Sequence, residues 1–285
     1  MNNISYSEYK TKETTTISSE IHCIDGHDEA YAFIRTLNLE LAFATQLENI
    51  KRTIEYLIQR GKLKGYSILF MRLHLSDAAN QAEDAEKLFS EENKIYALSM
   101  VEQPPADGSK IVAEVILIKG LKVQQKGNFI TVTTTDNIEH YWWCGKPITE
   151  CSSQYQTMML LEYYHAALQQ QGMDIAENCM RTWFYIENID VNYEGMVRAR
   201  NEFFSQHGLT SDTHYITSTG IQGRGKNYRS SIIFDAYAVK GLSGKSIQYL
   251  CAPAYLSPTK IYNVAFERGI CLHFKEQDKI YISGT

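Results

Sequence analysis

The chain has 285 residues, enough for two domains of roughly 100–150 residues that each bury a core. It is 44% hydrophobic and 21% charged with a net charge of −5 and a pI near 5.9, which is ordinary globular composition and argues against nucleic acid, a partner that demands a basic face. No apolar run reaches the roughly 18–20 residues needed to span a bilayer, and the polar start MNNISYSEYKTKETTT lacks an apolar export core, so the expectation is a cytoplasmic protein without a membrane partner.

In chain order, residues 1–17 read as a Thr/Ser/Lys-rich arm, either mobile or an edge strand. Two strands follow (SEIHCIDG and EAYAFIRTLN), then a helix in which Leu47, Ile50, Ile54 and Leu57 recur at the spacing of one buried face. After it come strand Ile68–Leu75, helix Gln81–Phe89, and strands Tyr96–Val101 and Ile111–Gly120. From Leu121 the order returns: strands Asn128–Thr135 and His140–Cys144, then a helix with Met158, Leu161, His165 and Leu168, each 111 positions after its counterpart. Strand Cys179–Ile186, helix Tyr193–Phe204 and strands Thr213–Thr219 and Ser231–Gly241 complete the second pass, with Asp235 in the place of Glu114. The pattern predicts an α+β architecture of two tandem modules, each a mixed sheet with two helices on one face. The expected division is an arm at 1–17, modules at 18–120 and 121–241, a Gly/Pro-marked linker at 242–260 and the opening hairpin of an incomplete third module at 261–285.

Several runs carry a resemblance. In the first module they are Gln46, Asn49 and Leu57, the stretch Arg72–Asp77 (RLHLSD), Phe89, Leu98–Ser99 and Val112–Glu114. In the second they are Arg181–Ile186 (RTWFYI), Tyr193, Arg198–Arg200, Phe204 and Ser218–Gly223 (STGIQG), followed by Tyr255, Ser257–Pro258 and Ile280–Thr285. In order and spacing these resemble the Rid/YjgF (reactive-intermediate deaminase, endoribonuclease L-PSP) superfamily, and its chorismatase branch most of all. The resemblance implies a chorismate-mutase-like fold, a self-associated or intramolecular pseudo-trimeric ring of modules, and small-molecule sites in the clefts between neighbours. It also exposes a departure. Active deaminases of the superfamily clamp the substrate carboxylate with an arginine on the strand occupied here by Leu98 in one module and by Tyr215–Ser218 in the other, and neither stretch has one. In chorismatases the acid that protonates the substrate lies in the last module, beyond this chain.

Alternation along Arg181–Ile186 sets Arg181, Trp183 and Tyr185 on one strand face and Thr182, Phe184 and Ile186 on the core face. The first set is either a polar ligand wall or an inter-module contact, since Arg, Trp and Tyr suit both. Joined by Arg200 and by Thr219, Gly220 and Gly223 as backbone donors, it forms the expected substrate site. Two guanidiniums attract an anion, an aromatic wall suits a cyclic one, and glycines admit close approach. No catalytic residue is assigned.

Other signals take their bland readings. Gly220–Asn227 (GIQGRGKN) departs from a phosphate loop at Asn227 and precedes a strand. The histidines show neither i,i+4 pairing nor a Cys/Asp constellation, so no metal or other cofactor is expected. His165 reads as a packed histidine with a backbone partner, and one of Trp142 and Trp143 as core. Three functions stay open: a chorismatase-like hydrolase in a longer form, with no turnover by these 285 residues; a catalytically silent ligand-binding or assembly protein; and, behind both, an imine deaminase.

Overall fold

The computed structural model describes residues 5–11, 19–25, 29–90, 95–149, 152–257, 259–275 and 277–284, the first two segments by their backbone alone. The chain forms two compact units, Met1–Lys126 with Ile130–Val132 and Gly127–Phe129 with Thr133–Thr285. The first sheet holds β1 (Ser5–Thr11), β2 (Ser19–Asp25), β3 (Glu29–Thr36), β4 (Tyr66–Leu75), β5 (Ala97–Glu102) and β6 (Ile111–Lys119) in the order β1-β2-β3-β6-β4-β5. The N-terminal arm thus contributes an edge strand, and its remainder lies outside the described residues. Helices α1 (Phe43–Gln59) and α2 (Ala78–Phe89) bury Leu47, Ile50, Ile54, Leu57, Ala82 and Phe89 in a core with the inward residues of β3, β4 and β6.

The second sheet contains β7 (Gln124–Lys126), β8 (Phe129–Thr133), β9 (Glu139–Cys144), β10 (Cys179–Ile186), β11 (Thr217–Gln222) and β12 (Ile232–Lys240). Its order, β7-β8-β9-β12-β10-β11, is that of the first sheet element for element, down to one parallel pair at the same edge. Helix α3 (Ser153–Gln170), the single turn α4 (Ile175–Asn178) and α5 (Ile189–Gln206) cover one face. The agreement extends to register. Arg72 lies opposite Glu114 where Trp183 lies opposite Asp235, and both long pairs are broken by a bulge at the same point, between Ile68 and Phe70 and between Cys179 and Arg181.

A buried glutamine anchors each first helix. The Gln46 Nε2 donates to the carbonyls of Leu39 and Leu41, and its Oε1 accepts from the Lys110 N–H just before β6. Gln156 Nε2 donates to the Arg229 carbonyl, and Oε1 accepts from the Ser231 N–H just before β12. These anchors are 110 positions apart, not 111. By them Ile54 answers to the fully buried Tyr164, with His165 one place further round the helix.

The stretch 242–260 carries β13 (Ile247–Leu250), which pairs with β14 (Gly269–His273), itself paired with β15 (Asp278–Ile282). The inner face of this small sheet meets the helix-free face of the second sheet, Tyr281 on Tyr237 and Phe274 on His140. Among the described residues, no helix is long and apolar enough to cross a membrane.

Candidate functional site

The sequence-derived site residues fall on both sides of the β10–β11 pair. Arg181, Trp183, Tyr185 and Thr219 share the helix-free face. There the Arg181 guanidinium donates to Thr219 Oγ1 and lies 4.9 Å above the Trp183 ring, with Ser283 Oγ at 3.5 Å. Trp183 stacks on Trp142, which packs on Tyr237, while Trp143 enters the helix-side core. Arg181 and Tyr185 are buried. This face is therefore packed aromatic and hydroxyl structure, and Arg181 ties the C-terminal strand to β11. Gly284 N–H donates to the same Thr219 Oγ1 at 2.9 Å, and Ser218 N–H donates to Ser283 Oγ at 3.0 Å.

Arg200 occupies the opposite side. On α5 it reaches the β11 edge, where Nη1 donates to Ser218 Oγ at 3.3 Å, and Ser218 in turn meets Thr182 at 2.9 Å. Arg200 is 2% exposed, and its Nε and Nη2 have no hydrogen-bond partner among the described residues. Burial lowers its pKa to about 10 against a raising influence of Tyr193, so it remains a cation at neutral pH. Arg200 is one of the residues around an open cleft of about 580 Å³, together with Tyr193, Ser218, Gly220, Phe266 and Arg268, while its Nε and Nη2 are themselves buried. Arg268 lies 5.3 Å from the Phe266 ring and Arg200 5.9 Å from it, so two cations flank one aromatic. Asn201 holds the wall in place, accepting from the Ala265 N–H and donating to the Asn263 carbonyl.

The glycines divide. A Cβ on Gly220 would sit 2.9 Å from Met196 Cε, so glycine there lets α5 close on β11 beside the cleft. Gly223 spends its N–H on the Ile186 carbonyl at 3.1 Å and is not among the residues lining the cleft, so it offers no donor to a ligand. Arg268 and Phe266 were missed by sequence reading because they lie in the stretch read as a new module's hairpin, with no motif to mark them. No phosphate loop forms, since Gly220–Asn227 runs from β11 toward β12 without a helix.

The readings of His165 and His273 change, and Glu114, the carboxylate matched by Asp235, has partners: Arg72 Nη1 at 3.0 Å and His74 Nε2 at 3.8 Å. Burial alone would raise its pKa, but the His74 and Arg72 contacts outweigh it and hold the carboxyl below its usual range. That is a locked carboxylate and not a proton donor. His165 Nδ1 is buried with no hydrogen-bond partner among the described residues, and its ring lies 4.3 Å from His207. Burial, then the His207 charge, lower its pKa. His273 does have Cys and Asp neighbours.

No protein-family model matches the chain, and no curated protein does. Among solved structures, a chorismatase superposes with a TM-score of 0.52 at 17% identity over 78% of this chain. The chain has a chorismatase-like fold. It spans 64% of that chorismatase. A putative translation initiation inhibitor from Salmonella typhimurium (TM-score 0.33, 11% identity) covers 42% of this chain with 98% of its own. A YjgF family member from Neisseria meningitidis (TM-score 0.33, 13% identity) covers 42% with 94% of its own. Within the chorismatase-like fold, the Arg200 cleft lies wholly in the second compact unit.

Proposed function

We propose that the chain binds a small anionic cyclic metabolite in the Arg200 cleft. The supporting observation is the buried, charged Arg200 guanidinium with Nε and Nη2 unpartnered at the wall of an open cleft. A buried cation with two unpartnered donors is costly to a fold. A carboxylate accepting from both groups at once would satisfy it, because the planar fork matches carboxylate geometry. Phe266 offers a flat surface to a ring, and Arg268 a second charge. In this reading Arg181 is a positioning residue that holds the segment 283–284, just after β15, against β11.

Chorismatase-like hydrolysis by a longer form of the protein rests on fold likeness alone. For the described chain the silent-binding reading is favoured, because no carboxylate lines the cleft among the described residues and Leu98 and Tyr215–Ser218 supply no clamp arginine. The same proposal places the protein in the cytoplasm and has it self-associate through the exposed edge of β15, where Ile280 and Ile282 face outward.

Titration calorimetry with a cyclohexadiene or aromatic dicarboxylate tests the site. Arg200→Leu should weaken binding by about 1.5–3 kcal/mol, about 10- to 150-fold, the worth of hydrogen bonds to a charged group. Arg181→Leu should cost less. Equal affinity in Arg200→Leu, with unchanged circular dichroism, removes the assignment.

A further inference from the structure

On the outer face of the small sheet, Cys271 and His273 stand two apart on β14, so both side chains project to the same side. Asp278 on β15 is the direct cross-strand neighbour of His273. The His273 Nδ1 lies 3.9 Å from Cys271 Sγ and 2.9 Å from Asp278 Oδ1, and the three donor atoms all fall within 4.8 Å of one another. One ring nitrogen faces both the sulfur and the carboxylate. A catalytic relay uses the two ring nitrogens separately, one toward each partner, so this is not the geometry of a Cys–His–Asp triad.

It is the geometry of ligands around a common centre. Donors held about 2.3 Å (sulfur) and about 2.0–2.1 Å (nitrogen, oxygen) from a tetrahedral zinc lie about 3.6 Å apart for S···N and about 3.3 Å for N···O. The two separations to the ring nitrogen, 3.9 and 2.9 Å, fall within about 0.4 Å of those values, and the sulfur and carboxylate oxygen lie within 4.8 Å, which side-chain rotation about the exposed Asp278 can close. The donor set of thiolate, imidazole and carboxylate is that of borderline metals, not of calcium or magnesium, which take oxygen.

We propose that Cys271, His273 and Asp278 form a site for a divalent transition ion of the zinc class, with three protein ligands and a fourth position open to solvent. Binding exchanges the Cys271 thiol proton, released to water, for a metal–sulfur bond. Cys271 is buried, whereas the His273 and Asp278 side chains are 41% and 56% exposed, so the ion enters from the solvent side. Sequence reading missed the site because Asp278 arrives across a hairpin and the C-x-H spacing is a strand signature, not the helical i,i+4 pair.

Cobalt(II) titration of the whole chain under reducing conditions tests this. Expected is uptake of one equivalent with a thiolate-to-cobalt charge-transfer absorption that zinc displaces stoichiometrically. Cys271→Ser should abolish the absorption, and His273→Ala should weaken uptake at least tenfold, while Cys251→Ser leaves both unchanged. No charge-transfer band in the native chain, or a band that persists in Cys271→Ser, overturns the site and leaves His273–Asp278 as a cross-strand ion pair.

Discussion

Arg200 and His140 show how strongly burial acts on a side chain that can carry charge. His140 is 6% exposed and shares a 2.6 Å hydrogen bond with the Tyr237 hydroxyl. Burial, and then the Lys279 charge, push its pKa down to about 3. The folded state therefore holds it neutral while the unfolded chain protonates near pH 6.5. A depressed pKa contributes stability that is fully present above about 6.5 and is lost as pH falls toward 3, at up to about 1.4 kcal/mol per pH unit. Urea midpoints between pH 7 and 4 should fall in the native chain, and His140→Gln should flatten part of that slope. Glu114 works in the same direction at lower pH, since its carboxyl is held below the usual range. Glu114→Gln should cost about 1.5–3 kcal/mol at pH 7, by loss of charge-assisted bonds, with the difference from the native chain shrinking in acid. A cost independent of pH would show that Glu114 acts by packing.

At the scale of elements, periodicity made most of the fold legible. The buried face of α1 is the one its spacing foretold, and β10 has the limits that its apolar run drew. What was not legible came from contacts between elements. The glutamine anchors shift the helix match to 110, because hydrogen bonds to strand ends, not apolar counts, fix where the helix sits. Strand β13 was read as linker since four residues with two exposed side chains carry little pattern. The division of the site residues between two sheet faces was half visible. Alternation placed Arg181, Trp183 and Tyr185 together, but nothing in sequence tells which side of β11 a helical arginine will reach. Gln46→Ala and Gln156→Ala should each destabilise the chain by about 1–3 kcal/mol, the cost of leaving buried backbone groups unpaired. Thermal denaturation checks this, and a neutral effect at both positions would deny the anchors their role.

At the scale of the molecule, matching strand orders and bulges in two sheets, with a small third sheet packed on the second, account for a chorismatase-like fold at 17% identity. Exposed Ile280 and Ile282 on edge strand β15 predict self-association, because unpaired apolar edges recruit partners. Light scattering should report an oligomer that Ile280→Lys with Ile282→Lys dissociates, and a native monomer at high concentration would contradict it. The most direct measurement is a crystal structure with a cyclic dicarboxylate. It should show a carboxylate within about 3 Å of both Arg200 Nε and Nη2, with its ring against Phe266. Full occupancy elsewhere, with the Arg200 cleft holding only water, would contradict the account.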